Sequence, residues 1–320
     1  MYAPRGPRAR SRSARVAAGA RAWYRGAAEH PMDARERELI AINTLDILKA
    51  FGLGDLRTFR RSVEMAVRHP ARVFARQVIR FDDAVAVRGI HGAARVLVSA
   101  YAQDLAVRGA ERIPSNGPVL LISNHPGMTD TVCLFAAIDR PDLKILAADR
   151  PFLRALRAAS RSLLFIPDEP GNRLAALRGA IHHLQAGGAL LTFPAGAIEP
   201  DPAVLPGAVE ALGHWSPSTA LFLRFVPEAR VVPVVVRGVL ARGAQRSPLV
   251  RLRRSREDRE MLGAMLQIVV RTLFPDAWPV RVRVDFLETF DGRELAARGT
   301  DAVEAIRERV AAFLRPRARE

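Results

Sequence analysis

From about residue 104 onward the chain alternates short apolar runs with helical patterns, and this rhythm limits its fold more than any other feature. The runs "GPVLLIS", "LKILAA", "SLLFI", "ALLTF" and "RVVPVVV" have strand length, carry branched side chains and are bounded by turn formers. Between them, "DTVCLFAAI", "PFLRALRAAS" and "NRLAALRGAIHHLQAGG" read as helices, the last with Asn172 as N-cap and glycine at its end. "VRVRVDFLETF" alternates as a strand with one solvated face would, while "DREMLGAMLQIVVRTLF" and the amphipathic "DAVEAIRERVAAFLR" are helical. Short apolar strands alternating with helices predict an α/β fold: a mostly parallel mixed sheet covered by helices on both faces. The carboxyl ends of its strands are then where a site is expected.

Upstream, the pattern divides the chain into a basic, disordered tail over 1–30, an N-terminal helical segment over 31–103, and the α/β domain over 104–320. In the helical segment, "RELIAINTLDILKAFGL" and "RHPARVFARQVIRF" place apolar residues at helical spacing with arginines between them. Trp23, Tyr24, Phe51, Phe59, Phe74 and Phe81 are available to pack on the main domain or to dip into a bilayer interface. The formal charge is +16, and Lys49 and Lys144 are the only lysines, so arginine carries the field. Such a field suits anionic partners, unless coding bias alone inflates arginine. Nucleic acid is not expected as a partner, because aromatics make up 6% of the chain and none interleave with the arginine clusters. Cys133 is the single cysteine, which rules out an intrachain disulfide and a cysteine-based zinc site. No apolar run reaches the roughly 18 residues of a spanning helix, and no signal-peptide core is visible, so membrane contact is expected to be peripheral.

Two stretches carry the chemistry. In "SNHPGMTD", His125 follows the first apolar strand and Asp130 begins the helix after it. Pro126 and Gly127 bend the intervening loop, so the imidazole can fold back onto the carboxylate. Asp130 would then hold one ring nitrogen and leave the other to accept a proton. Without that contact, the two residues merely cap a helix. No G-x-S-x-G elbow supplies a nucleophile, and Cys133 reads as a small buried hydrophobe, so an attacking hydroxyl or amine would come from substrate. In "LTFPAGAIEPDP", Gly196 permits close backbone approach and its loop offers N–H groups to an oxyanion, while Glu199 and Asp201 sit in a rigid, proline-rich loop.

The pairing of "SNHPGMTD" with "LTFPAG" resembles the phospholipid/glycerol acyltransferase family, which carries N-H-x4-D after a first strand and F-P-E-G-T-R after a later one. The lead-in "VRGAERIPSNGPVLLISNH", the block "LLFIPDEPGNR" and the block "VVPVVVRG" follow the same family order. The resemblance is to 1-acylglycerol-3-phosphate acyltransferases in particular, and it implies a glycerolphosphate-acyltransferase-like fold. It further implies His125 as general base, Asp130 as its orienter, and acyl-CoA or acyl carrier protein as acyl-donor substrate. Asn124, Gly127, Arg173, Phe193, Pro194, Gly196 and Glu199 become the expected substrate contacts. No bound cofactor and no metal are expected. A lipid acceptor, an anionic membrane surface on the cytoplasmic side and an acyl carrier protein are the implied partners. The chain departs from the family where Ala195 replaces the glutamate and Ile198 the arginine of the later motif, and Glu199 adds a negative charge nearby. Those departures leave open a hydrolase, in which water replaces the acceptor, and a non-catalytic lipid-binding relative.

Overall fold

The computed structural model describes residues 32–53, 60–169 and 173–315. The expected basic tail, Trp23, Tyr24, Phe59 and the Asn172 cap lie outside the described residues. Helix α1, Ala34–Ala50, starts at Asp33, whose side chain accepts the Glu36 N–H at 2.7 Å. Helix α2, Arg60–Tyr101, is broken at Gly89, where φ 70 and ψ 169 suit a residue without Cβ. A straight helix would hold Gln77 and Tyr101 about 36 Å apart. Instead the chain doubles back at Gly89, and Tyr101 Oη donates to Gln77 Oε1 at 2.5 Å.

The α/β part then runs β1 Asp104–Arg108, β2 Val119–Ser123, α3 Asp130–Ala137, β3 Lys144–Ala148, β4 Leu163–Ile166, α4 Arg173–Gln185 and β5 Ala189–Thr192. It continues with α5 Ser218–Phe225, β6 Arg230–Arg237, α6 Arg256–Leu273, β7 Arg281–Phe286, β8 Phe290–Asp291 and α7 Ala302–Leu314. These strands form one sheet in the order β1-β7-β6-β2-β5-β3-β4, with β8 beside β6. The run from β6 to β4 is parallel throughout, and β7 and β8 pair with β6 antiparallel. This is the mixed, mostly parallel sheet that the alternating rhythm predicts.

The period-two pleat divides each central strand between two cores. Val119 and Leu121 of β2, Leu191 of β5 and Val232, Val234 and Val236 of β6 face one side, with Phe81, Leu97 and Leu134 from α2 and α3. Leu120 and Ile122, Leu190, and Val231 and Val235 face the other, with Leu184, Phe222 and Ile306 from α4, α5 and α7. The helical hairpin of α2 is therefore part of the cover of the sheet, not a separate layer.

Two local expectations change. "PFLRALRAAS" is helical only over Pro151–Arg154, followed by a 3-10 turn at Ala159–Ser162. The buried Asp82 carboxylate of α2 takes the N–H groups of Ala158 at 3.0 Å and Ala159 at 2.7 Å, which starts a second turn instead of extending the first. "VRVRVDF" alternates only at its start: Arg281 and Arg283 are exposed, but Val284, Asp285 and Phe286 are all buried because β7 lies between β1 and β6. Strand β1 itself is an edge strand whose side chains are partly exposed, so its apolar signature is weak.

Candidate active site

Because β2, β5, β3, β4 and β6 run the same way, the loops after all five emerge at one edge of the sheet. His125 follows β2 there, and Asp130 opens α3 beside it. Imidazole Nδ1 and Asp130 Oδ2 are 2.7 Å apart. The carboxylate is fully buried, while the imidazole is 24% exposed. Oδ2 also accepts the Gly127 N–H at 3.2 Å, and Oδ1 accepts the Thr131 hydroxyl at 3.1 Å, so the carboxylate is fixed before the imidazole meets it. Phe193, the residue after β5, stacks on the imidazole with centroids 4.4 Å apart and planes 23° from parallel. With Nδ1 held, Nε2 is the nitrogen left for chemistry.

Electrostatics tune that nitrogen. Burial lowers the pKa of His125, but the charge and hydrogen bond of Asp130, with a smaller contribution from Glu199, more than offset it and leave it above the ordinary 6.5. Cys133 lies in α3 beyond Asp130, and burial pushes its thiol far above the usual range, so it behaves as an inert apolar group.

His125 lines a cavity of about 1290 Å³ whose walls are mostly apolar. Phe74 and Phe81 of α2, Phe135 of α3, Phe152, and Met265 and Ile268 of α6 contribute to it. Lys49, Arg150, Asp168 and Arg173 form a charged margin, with Arg150 Nη1 3.4 Å from Asp168 Oδ2. The arrangement suits proton transfer on a substrate that carries a long apolar part.

Of the residues expected to contact substrate, Arg173, Phe193, Pro194 and Gly196 line this cavity along with His125. Arg173 also donates to the carbonyls of Pro167 and Asp168, at 3.4 and 3.1 Å, which aligns it along the margin. Asn124, Gly127 and Glu199 do not line it. The Asn124 amide is spent on β6, donating to Val236 O at 2.9 Å and accepting Val236 N–H at 2.8 Å. Gly127 sits against Leu240 and Val239, which a Cβ there would meet in ordinary contact. Glu199 is 4% exposed and bonded to the His125 backbone and the Trp215 indole. The Gly196 N–H is not an oxyanion donor: with φ at 64°, Gly196 closes a turn onto Phe193 O at 3.0 Å. Ala195 packs into the core beneath the sheet, and Ile198 stands on the cavity wall.

Sequence reasoning missed Arg150, although it follows β3 directly at the edge where a parallel sheet presents its site. Asp201 also proves structural: its carboxylate accepts the N–H groups of Ala203, Gly238 and Leu240 at 2.8–2.9 Å, tying the loop after β5 to the loop after β6. His183 Nε2 donates to Ala189 O, 3.1 Å away, and His214 is exposed, so neither belongs to the site.

A carboxylate-steered imidazole thus stands at the carboxyl edge of a mixed α/β sheet, open to an apolar cavity. Residues 104–237 match the family model described as Acyltransferase. No curated protein matches the chain. Among solved structures, the chain is similar to the 1-acyl-sn-glycerophosphate (LPA) acyltransferase PlsC from Thermotoga maritima. The two share 16% identity and a TM-score of 0.43, with 96% of this chain and 100% of that one covered. A likeness so distant adds nothing to the sheet order and the motif residues described above.

Proposed function

We propose that the protein transfers a fatty acyl group from an acyl thioester, carried by coenzyme A or acyl carrier protein, to a hydroxyl of a glycerolipid-type acceptor. The observation that carries this reading is the 2.7 Å His125–Asp130 contact beside an apolar cavity of about 1290 Å³. The acceptor hydroxyl gives its proton to His125 Nε2 as its oxygen attacks the thioester carbonyl. The tetrahedral intermediate then expels the thiolate, which recovers the proton from the imidazolium. No acyl-enzyme forms, since Cys133 is buried and its thiol held protonated. General-base assistance of this kind is worth about 10²–10⁴ in rate.

The wall of the cavity bears on the acceptor. Ile198 stands where the family has an arginine, so that wall offers no cation to a phosphomonoester and favours a lipid alcohol. Arg150 and Arg173 at the margin are placed to meet the phosphates of the donor.

The enzyme works as a peripheral protein on the inner face of the cell membrane. No helix among the described residues is long and apolar enough to cross a membrane. Leu249, Leu252 and Met261 instead project beside the exposed Arg251, Arg254 and Arg259, where the 250–252 turn packs on α6 and on the end of α1. This combination suits an anionic lipid surface.

Purified protein given an acyl thioester should release thiol only with a lipid alcohol present, and the acyl group should appear in the lipid extract. Equal thiol release without acceptor would make the protein a hydrolase, and no release with any acceptor would make it a non-catalytic relative.

A further inference from the structure

Glu199 has no place on the cavity wall, yet its contacts all lead to the catalytic loop. Its main-chain N–H donates to His125 O at 2.8 Å. Its side chain returns to the same residue, Oε2 accepting the His125 N–H at 2.9 Å. Oε1 accepts the indole N–H of Trp215 at 2.8 Å, and Trp215 is buried in the core on the α4–α5 side of the sheet. Both main-chain hydrogen-bonding groups of His125 are thus satisfied by one residue, which is itself anchored in the core.

A carboxylate is an expensive way to satisfy two N–H groups. Burial, helped by the nearby Asp130 charge, pushes its pKa up to about 7 despite the opposing effects of Trp215 and His125. A neutral side chain could accept one of those N–H groups without that penalty. Among the described residues, the charged groups facing His125 are Asp130 from α3 and Glu199 from the loop after β5; Phe193 and Trp215 bring no charge. The family's glutamate position is Ala195 in this chain, and Ala195 packs in the core.

We infer that Glu199 is a positioning residue for the reaction: it fixes the backbone of His125, so that Nε2 faces the cavity, and adds a second negative charge that stabilises the imidazolium. The inference rests on His125 being the base. It assigns to Glu199 a role different from substrate contact.

Glu199→Gln keeps the shape but removes the charge and sets an amide N–H₂ against one of the two N–H donors. Its kcat should fall about 10–100-fold, as for a misplaced catalytic group. KM for the acyl thioester should stay within about twofold, because Glu199 does not touch the cavity. The acidic limb of its kcat/KM profile should move to lower pH, since the imidazole loses an attractive charge. A residue that only supported the fold would leave that limb in place. Should Glu199→Gln fail to fold, the wild-type protein gives the same answer by NMR. The Trp215 indole N–H, assigned with Trp215→Phe, should titrate together with the His125 ring resonances. If Glu199→Gln keeps the wild-type rate and pH profile while His125→Ala is inactive, or if the Trp215 signal does not move between about pH 5 and 9, the inference is overturned. Full activity in His125→Ala would instead remove the function on which it rests.

Discussion

At the scale of single residues, the site is an imidazole with its ionisation set by neighbours. Asp130 is the main attraction on His125, so Asp130→Asn should lower the pKa of the base and move the acidic limb of the pH–rate profile downward. The plateau should fall by at least about 10², because the ring loses its orienting partner as well. The same groups affect stability in a definite direction. Glu199 has a folded-state pKa of about 7 against an ordinary 4.5. A raised folded value stabilises below the unfolded pKa, and that contribution is lost as pH rises through the folded one. His125 is also raised, above 6.5, and works in the same direction at slightly higher pH. Urea unfolding should therefore show wild-type stability declining from about pH 5 to pH 8, and Glu199→Gln should flatten the decline. An equal slope in both proteins would contradict the buried-carboxylate account.

At the scale of elements, the site depends on two clamps that hold strand ends together. Asn124 joins the end of β2 to Val236 of β6 through two hydrogen bonds in a buried setting. Asn124→Ala leaves both Val236 backbone groups without those partners, and should cost about 1–3 kcal/mol in chemical denaturation while leaving the strand order intact. A change below about 0.5 kcal/mol would mean that the clamp is not needed. These elements also show what can be read from residues alone. Strands β2, β5 and β6 were legible because a strand buried on both faces must be apolar without interruption. The His125–Asp130 pair was legible because its partners are only five residues apart, one in the loop and one opening the next helix. Strand β1 was not, since an exposed edge carries little apolar signal, and the break in "PFLRALRAAS" was not, since the interrupting carboxylate comes from Asp82 on a distant helix. The true partners of Asn124 and Glu199 were hidden for the same reason. Val236 is 112 residues from Asn124 and His125 is 74 residues from Glu199, and only the closed sheet brings them near.

At the scale of the molecule, the N-terminal hairpin and the sheet jointly enclose the space beside the base. Phe74 and Phe81 of α2 face the same cavity as Phe193 and Met265, so neither part encloses the cavity alone. The arginine-rich surface near α6 belongs to this scale too, because Leu45 and Met261 line the cavity and are also exposed. Binding to vesicles with anionic headgroups should weaken as ionic strength rises from about 0.05 to about 0.5 M. Leu252→Glu, at a side chain 77% exposed, should weaken it further at every salt concentration. Co-sedimentation that ignores both salt and Leu252 would place the membrane contact elsewhere. The central claim concerns His125, and one comparison tests it most directly: the rate of acyl transfer from a thioester to lipid by wild type and by His125→Ala. The variant should fold normally and lose about 10²–10⁴ in kcat, and a folded His125→Ala enzyme transferring acyl groups at the wild-type rate would contradict the account.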